Sequence, residues 1–518
     1  MSPSSQTLER AADGLPNFTH QQIVSVLVGI MLCIVLSAVD ITVVVPAVPA
    51  IAADLHGFGH LSWIVSAYLI TSTAAMPIYA KLSDIYGRRR LLMVAIVLFV
   101  VTSIFCALAQ SLGVLILCRA IQGMGGGGLI AISQTVVADV VAPRERGRYQ
   151  GYMAGSWGAA SIFGPILGGW ITDYLSWHWI FWINAPIGIA ALILCYRALA
   201  LLKPHQSEPK IDYLGAALLT ALTTACLLVL SWGGAEYPWI SAPILGIAAL
   251  AVLLLVLLYI RETLAPDPIL PPRILAKAEV GFGILTASLA TAAMLGGTFL
   301  LPLFFQLIGG ATAASAGTLL MPFLALNSFG AFLSGRLARR LGRVKMIIVV
   351  GCAGSAAGFL LLATMSGATG SLLSVAYASF CGFFIGSTMP ATMVMAQNAA
   401  HRRDVGAVTG AFLFLRSMGG AFGSTLVGAL LVGIYNGFLA GKGIIEHIDL
   451  GALRGGTALT QLDPAMLAVS RSGLTEGFHG AFIACAVMTA IAAIVAAFLR
   501  DIPLQSSAAR SETQPVSH

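Results

Sequence analysis

The chain has 518 residues, of which 58% are hydrophobic and only 9% are charged. Soluble domains carry about 25% charged residues, so this composition excludes a soluble globular protein, and with it disorder, a coiled coil and a collagen-like repeat. The net charge of +7 does not indicate a nucleic-acid partner, because the basic residues are spread over short loops between apolar runs. All eight cysteines lie inside apolar runs and no two are three residues apart, which argues against a disulfide framework and a zinc site.

Fourteen apolar runs are long enough to cross a bilayer, whose core requires about 20 residues of helix. They cover residues 22–46, 62–80, 91–110, 113–138, 149–171, 180–202, 213–232, 239–260, 280–306, 315–336, 345–366, 371–396, 405–433 and 478–499. The first run is longer than the apolar core of a signal peptide, so we interpret it as an uncleaved first span. The sequence therefore predicts an all-α polytopic membrane protein with fourteen transmembrane helices.

The lysines and arginines predict the orientation of the chain, since cytoplasmic loops of membrane proteins are enriched in both. If the N-terminus is cytoplasmic, the outside loops contain only Lys442, Arg454 and Arg471, while Arg119 and Arg416 lie within spans. The rest of the 28 basic residues then lie inside. Because the number of spans is even, both termini are expected in the cytoplasm.

One sequence pattern occurs twice along the chain. Residues 80–88 (AKLSDIYGR) follow the second span, and residues 335–343 (GRLARRLGR) follow the tenth. The glycines of the fifth span have a similar echo in the thirteenth span. The chain is thus predicted to form two six-helix bundles in parallel repeat plus two extra central helices, an architecture typical of transporters whose substrate site lies between the repeats.

The repeat also predicts the domain boundaries. We expect a cytoplasmic tail over residues 1–20, an N-terminal six-helix bundle over 21–202, two additional helices with flanking loops over 203–279, a C-terminal six-helix bundle over 280–500 with an extracytoplasmic loop at 434–477, and a cytoplasmic tail over 501–518. The two additional helices lie outside the repeat, and the sequence does not indicate their purpose.

Several motifs resemble those of one family of membrane proteins. Residues 80–90 resemble the signature loop between helices 2 and 3 of the major facilitator superfamily, residues 119–123 its helix 4 motif, and residues 158–169 the helix 5 motif typical of its antiporters. Three further stretches resemble motifs of its fourteen-helix drug:proton antiporter branch; they are residues 40–49, 179–188 and 211–215.

Two residues depart from these motifs: Ala80 and His178 stand where the family commonly has Gly and Arg. The resemblance implies a proton-coupled antiporter that exports lipophilic compounds, cationic or neutral, across a bacterial cytoplasmic membrane by alternating access. It does not identify the substrate.

Asp40 is the only carboxylate well inside a predicted span. Because an ionisable group in hydrocarbon is costly, we interpret it as a functional residue. Arg119 is its expected counter-charge, because both residues lie about 9 Å below the outer ends of their helices at 1.5 Å per residue. The charge of Arg119 favours the ionised carboxylate, whereas burial favours the protonated one. We therefore predict that Asp40 relays protons and Arg119 modulates it, the alternative being a structural ion pair. Gln122 shares a helix face with Arg119 and would extend the network.

The resemblance implies that Asp84, Gly87, Arg88 and Asp139 form a conformational latch that holds the cytoplasmic side closed. It implies that Asp84 meets either a helix N-terminus or an Arg of the other half, and our candidate is the start of the thirteenth span, after Asp404, where the helix dipole favours an anion. Arg88 is expected to pair with Asp139 at the end of the fourth span. The alternative is a positive-inside anchor with a solvated Asp.

A helix-packing hinge is predicted in the fifth span, where glycines allow close approach and a proline removes one helical hydrogen bond. Its residues are Gly158, Gly164, Pro165, Gly168 and Gly169. The substrate pocket is expected to combine apolar and aromatic side chains with a few polar groups. Its candidates are Tyr68, Gln122, Trp157, Phe299, Phe304, Asn327 and Met395, with Gln306, Gln397 and Asn398 as weaker ones. For Arg416, a structural role and a contact with substrate are equally supported alternatives.

The sequence lacks the residues that other classes of membrane protein need. Residues 437–442 have the wrong spacing for a phosphate-binding loop, which excludes ATP drive. The nine scattered histidines form no catalytic constellation, so we expect no enzyme. A channel would need a ring of repeated polar residues, which a single Asp within the spans does not provide. The remaining alternatives are a dedicated exporter of a metabolite, siderophore or lipid, and a proton-coupled uptake carrier.

The expected partners follow from this class. They are small lipophilic substrates and the lipid bilayer, with protons as the coupling ion and no cofactor, metal or nucleic acid. We expect a monomer, alone or with an accessory export protein.

Overall fold

The computed structural model describes residues 20–55, 62–201, 212–234, 236–400, 404–442, 464–501 and 503–504. The expected N-terminal tail, most of the expected C-terminal tail and the middle of loop 434–477 lie outside these residues. In the described part of the chain the architecture is all-helical, as the composition predicts.

Fourteen long helices account for most of the described residues, and each of them overlaps one of the fourteen predicted spans. They are α1 (His20–Asp54), α2 (Ser62–Tyr86), α3 (Arg88–Ala107), α4 (Leu112–Val140), α5 (Pro143–Tyr174), α6 (Asn184–Ala198), α7 (Tyr213–Trp232), α8 (Ala242–Leu264), α9 (Ala278–Leu307), α10 (Ala313–Leu341), α11 (Lys345–Ala363), α12 (Ser371–Ala399), α13 (Val405–Gly441) and α14 (Pro464–Ala497). Short helices at Trp179–Trp182 and Pro272–Leu275 precede α6 and α9.

Within the described ranges, 13 helices are long and apolar enough to cross a membrane. The exception is α5, whose 32 residues suffice in length but begin with a charged turn that contains Arg144, Glu145 and Arg146. Its remaining turns are rich in glycine and face α1 and α10. The fifth predicted span is therefore present as a helix, and its low hydropathy comes from its charged first turn and its glycines, several of which pack against α1 and α10.

The parallel repeat is visible in the packing of the helices. In the first half α1 packs on α4, α5 and α6, and α2 packs on α4; in the second half α9 packs on α12, α13 and α14, and α10 packs on α12. Gly87 and Gly342 occupy equivalent positions of the repeat, and both have positive φ angles, 91° and 65°. The repeated Gly-Arg pair thus follows from a chain reversal that a residue with a Cβ rarely adopts.

The two additional helices pair with each other beside the repeat. α7 also contacts α2 and α13, and so lies where the two halves meet. The carboxylate of Asp212 caps α7 and accepts hydrogen bonds from the Arg261 guanidinium of α8, with a 2.8 Å ion pair. Lys81 at the end of α2 forms an ion pair with Asp267, which anchors the segment after α8 to the first half.

The two halves touch most closely at the end of the bundle that carries the arginine-rich loops, which we call the basic end. A Cβ added at Gly147 of α5 would lie 3.0 Å from the carbonyl oxygen of Gly335 of α10. A Cβ at Gly410 of α13 would lie 2.9 Å from the backbone of Pro77 of α2. Farther along α5, Trp170 is exposed and Gly168 packs on α1 of its own half. The close contacts between the halves named here therefore lie at the basic end.

Candidate functional site

Asp40 of α1 forms a buried ion pair with Arg119 of α4. Both residues are 1% exposed, and Arg119 Nη1 donates to Asp40 Oδ2 over 2.5 Å. Such a pair persists in an apolar interior only if additional hydrogen bonds satisfy the remaining lone pairs and protons. The side chains next to Asp40 and Arg119 must therefore supply these additional hydrogen bonds.

The second carboxylate oxygen of Asp40 is also occupied. Gln122 Nε2 and Asn184 Nδ2 donate to Asp40 Oδ1 over 3.1 and 2.8 Å. Arg119 Nη1 also donates to Gln122 Oε1 over 2.8 Å, and Asn184 Nδ2 also donates to Ser103 Oγ over 3.0 Å. A single carboxylate thus connects α1, α4 and α6, with Ser103 of α3 as a support.

Sequence reasoning did not assign roles to Asn184 and Ser103. Asn184 lies inside the stretch 179–188 that resembles a family motif, and this motif was the available signal. An uncharged amide at the start of a span carries no electrostatic cost that would mark it as functional, so only the packing of α6 against α1 reveals its partner.

The ring of Tyr68 in α2 packs against the guanidinium of Arg119 and covers the ion pair. The Arg119 guanidinium lies 4.3 Å from the centre of the Tyr68 ring, and Arg119 Nε donates to the Ile64 carbonyl over 3.2 Å. The Tyr68 and Ser37 hydroxyls are 3.1 Å apart. Tyr68 is fully buried in this state of the protein, and its place in the substrate lining stays a prediction.

The other predicted lining residues are not brought to one place. Phe304 stacks edge to face with Phe478 at 5.4 Å, inside the core of the second half, and Met395 is 3% exposed in a neighbouring core cluster. Both residues serve helix packing in this structure, and their substrate role stays a prediction. Phe299 and Asn327 are half-buried in the second half, and Trp157 of α5 is 38% exposed; the substrate role of these three stays a prediction.

The weaker candidates near the span ends differ among themselves. Gln397 of α12 is buried and donates to Thr409 of α13 over 3.1 Å, so its side chain joins two helices. Gln306 and Asn398 are half-buried. None of the three lies at the Asp40 network.

The expected latch residues meet at the basic end. Arg88 Nε donates to Asp139 Oδ2 over 2.9 Å, which is the predicted pair, and the same guanidinium contacts Asp84 and Ser83. A Cβ added at Gly406 would collide with both carboxylate oxygens of Asp84. Asp84 therefore lies against the first turn of α13, where it was expected. The latch role of this cluster stays a prediction.

The latch hypothesis makes Gly406 a sensitive position, and Gly406→Leu is expected to open the basic end. The new side chain would displace Asp84 from α13 and separate the halves there. The readout is maleimide labelling of Ser334→Cys, a buried position next to Gly335, with the parent labelled as background. Gly433→Leu, on the same helix with no atom near its added Cβ among the described residues, is the control. Equal labelling in both variants would contradict the latch.

The glycines of the predicted hinge differ in their surroundings. Added Cβ atoms at Gly158, Gly164 and Gly168 would collide with Ser328 of α10, Thr42 of α1 and the backbone of α1. Within the described part of the chain, a Cβ at Gly169 would meet no atom within 4 Å, so its predicted packing role is wrong. Pro165 lies inside α5 between the close contacts.

A charged cavity at the basic end was not predicted. It has a volume of about 570 Å³ and is lined by Arg144, Glu145, Arg336, Arg339 and Arg340. Arg339 forms a 2.7 Å ion pair with Glu145, which links α10 to α5 across the halves. Its charged lining differs from the apolar pocket expected for lipophilic substrates. Over the described ranges, no three His, Cys, Asp or Glu side chains converge as metal ligands.

Comparison with known proteins places these features in a family context. A family profile described as Major Facilitator Superfamily matches residues 30–424. The chain is 31% identical over 516 residues to multidrug transporter protein MdtP of Bacillus subtilis, covering 94% of each protein. It is 29% identical to multidrug resistance protein 3 of the same organism, covering 93% of this chain and 96% of that protein.

Solved structures show the same fold at low sequence identity. The human organic anion transporter MFSD10 superposes with a TM-score of 0.62 at 14% identity, covering 91% of this chain and 99% of that chain. The proton:xylose symporter XylE superposes with a TM-score of 0.58 at 14% identity, covering 93% of this chain and 97% of that chain.

Proposed function

Because the chain belongs to the major facilitator superfamily of membrane transporters, we propose that it exports lipophilic drugs, neutral or cationic, in exchange for protons. The protein is a transporter and not an enzyme, as the sequence predicts. The observation that carries the proposal is the buried network of Asp40, in which one carboxylate is held by Arg119, Gln122 and Asn184. Two relatives named for multidrug transport support the choice of substrate class.

Protonation of Asp40 would change the network in a defined way. A neutral carboxyl group no longer compensates the charge of Arg119, and its new O–H requires an acceptor. Asn184 Oδ1 is buried and has no hydrogen-bond partner among the described residues, so it offers one beside Asp40. Loss of the ion pair would loosen α1 from α4, which is how proton uptake would reach the packing of the first half.

Alternating access would then exchange the closed basic end for a closed opposite end. The contacts that must break lie between α5 and α10 and between α2 and α13, and they include the Asp84–Gly406 approach. Both interfaces are built from glycines, so the helices can separate without removing large side chains from a groove. We place the basic end in the cytoplasm of a bacterial cell, following the distribution of Lys and Arg.

The proposal is tested by drug-driven proton release. Everted membrane vesicles that contain the protein are given a pH gradient, acidic inside, and a panel of lipophilic cations and neutral drugs is added. We expect several drugs to dissipate the gradient, and vesicles without the protein to remain unchanged. If the whole panel is silent, drug antiport is wrong, and export of a dedicated metabolite or proton-coupled uptake replaces it.

A further inference from the structure

Arg416 is a cation inside a membrane helix, and the described residues provide no counter-charge for it. It is the twelfth residue of α13, about 17 Å from the start of the helix at 1.5 Å per residue. Its Nε is buried and forms no hydrogen bond, and no ion pair joins Arg416 to any carboxylate of the described residues. A charged residue in this position is costly and is retained where it has a function.

The side chain faces the interior of the second half. Thr409, Arg416 and Gly420 are spaced i, i+7 and i+11, so they share one face of α13. Thr409 accepts a hydrogen bond from Gln397 of α12, and a Cβ added at Gly420 would lie 3.1 Å from Thr291 of α9. Arg416 is therefore directed toward α9 and α12.

α9 and α12 cannot neutralise this charge. α12 contains no charged residue, and the only one in α9 is Glu279, in its first turn. Asp404, which precedes α13, is twelve residues from Arg416 and thus about 18 Å away along the helix. By the repeat, α9 and α12 are the equivalents of α1 and α4, which carry Asp40 and its partner Arg119.

Asp40, the carboxylate in mid-span of the first half, is not free to bind a ligand in this state. Both oxygens of Asp40 are occupied by donors from Arg119, Gln122 and Asn184, so a cationic group finds no open carboxylate there. In the first half the charge of Asp40 is neutralised by Arg119, whereas in the second half no described carboxylate neutralises the charge of Arg416. The uncompensated charge of the described membrane interior is therefore positive.

We propose that Arg416 binds an acidic group on the transported molecule, so that the substrates include apolar compounds that carry a carboxylate. This inference rests on the proposed function and widens its substrate class. A guanidinium forms two parallel hydrogen bonds with a carboxylate, and the pair is strong where water is excluded. An acidic substrate would thereby supply the counter-charge that the described part of the chain does not provide.

The test compares three probes that share one apolar body and differ in charge: 1-pyrenebutyrate, 1-pyrenebutyramide and 1-pyrenebutylamine. Equilibrium binding is measured by fluorescence on the purified full chain in nanodiscs, with empty nanodiscs subtracted. We expect the parent to bind the carboxylate most tightly. Arg416→Gln should weaken carboxylate binding by about tenfold or more, leave the amide unchanged and not weaken the ammonium. Arg416→Lys should keep most of the carboxylate affinity.

The control is Arg471→Gln, which removes an exposed arginine of α14 and should change no affinity. A parent that binds the carboxylate no better than the amide overturns the inference, and so does an Arg416→Gln variant that weakens all three probes equally. Drug-driven proton release is measured separately with the cationic and neutral panel. Intact proton release without carboxylate preference rejects only the role of Arg416, and carboxylate preference without proton release rejects only the antiport.

Discussion

Asp40→Asn is expected to reduce drug-driven proton release to the level of vesicles without the protein. Asn has nearly the shape of Asp, and its amide oxygen can still accept the hydrogen bond from Arg119 in place of Oδ2. Its amide nitrogen then lies in place of Oδ1 and can donate to the unpartnered Asn184 Oδ1, but the amide cannot exchange a proton. It resembles the protonated state of Asp40, so the variant should remain able to bind drug while coupling is lost. The measurement is the pH-gradient assay on everted vesicles, together with direct drug binding to the purified variant.

The matched control is Asp54→Asn, which removes a carboxylate from the same helix. Asp54 is exposed at the end of α1, where Oδ2 accepts a 2.9 Å hydrogen bond from Trp177, and an amide oxygen can replace it. This variant should couple like the parent. If Asp40→Asn still releases protons, the proton site lies elsewhere, and Asp84, Asp139 and the buried Glu262 become the next candidates.

Arg119→Met is expected to destabilise the protein more than any other single change considered. It leaves the Asp40 carboxylate buried at 1% exposure without a counter-charge, and breaking a buried pair in this way costs about 3–5 kcal/mol. It also removes the donor to the Ile64 carbonyl. The free energy of unfolding of the purified protein in detergent should fall accordingly.

The double variant Asp40→Asn with Arg119→Met separates charge from packing. It removes both charges, so it should recover much of the stability that Arg119→Met loses, because replacement of a buried ion pair by neutral residues is often close to neutral. Arg471→Met, at an exposed position, serves as the control for loss of an arginine. If the double variant is less stable than both single variants, the pair stabilises the fold through shape rather than through charge.

Most of the helical framework could be predicted because a bilayer imposes a minimum length on every apolar run. The charged pair between the start of α3 and the end of α4 was also predictable, since Arg88 and Asp139 are separated by the length of two antiparallel spans and meet at 2.9 Å. α5 was harder to assign from composition, because a helix that faces other helices needs small residues rather than apolar ones.

The lining of the pocket could not be predicted from residue types. Phe304 and Met395 are as apolar as residues that face a cleft, but they lie in the core of the second half. Tyr68 has the polar tip expected of a binding residue, but its ring covers Arg119. Whether an aromatic side chain faces a core or a cleft depends on helix rotation, which varies over a few tens of degrees without changing the hydrophobic pattern.

The sequence by itself determined which charges enter the membrane, namely Asp40, Arg119 and Arg416, because a charge in an apolar run is visible without coordinates. It also predicted Arg119 as the partner of Asp40, and only the tertiary structure decided what surrounds each of these three charges. α1, α4 and α6 converge so that Asn184 and Gln122 complete the shell of Asp40, whereas α9 and α12 bring no carboxylate to Arg416. The physical reason is that the free-energy cost of burying a charge follows from the residue and the apolar run around it. Whether that charge is neutralised depends on which helices pack together.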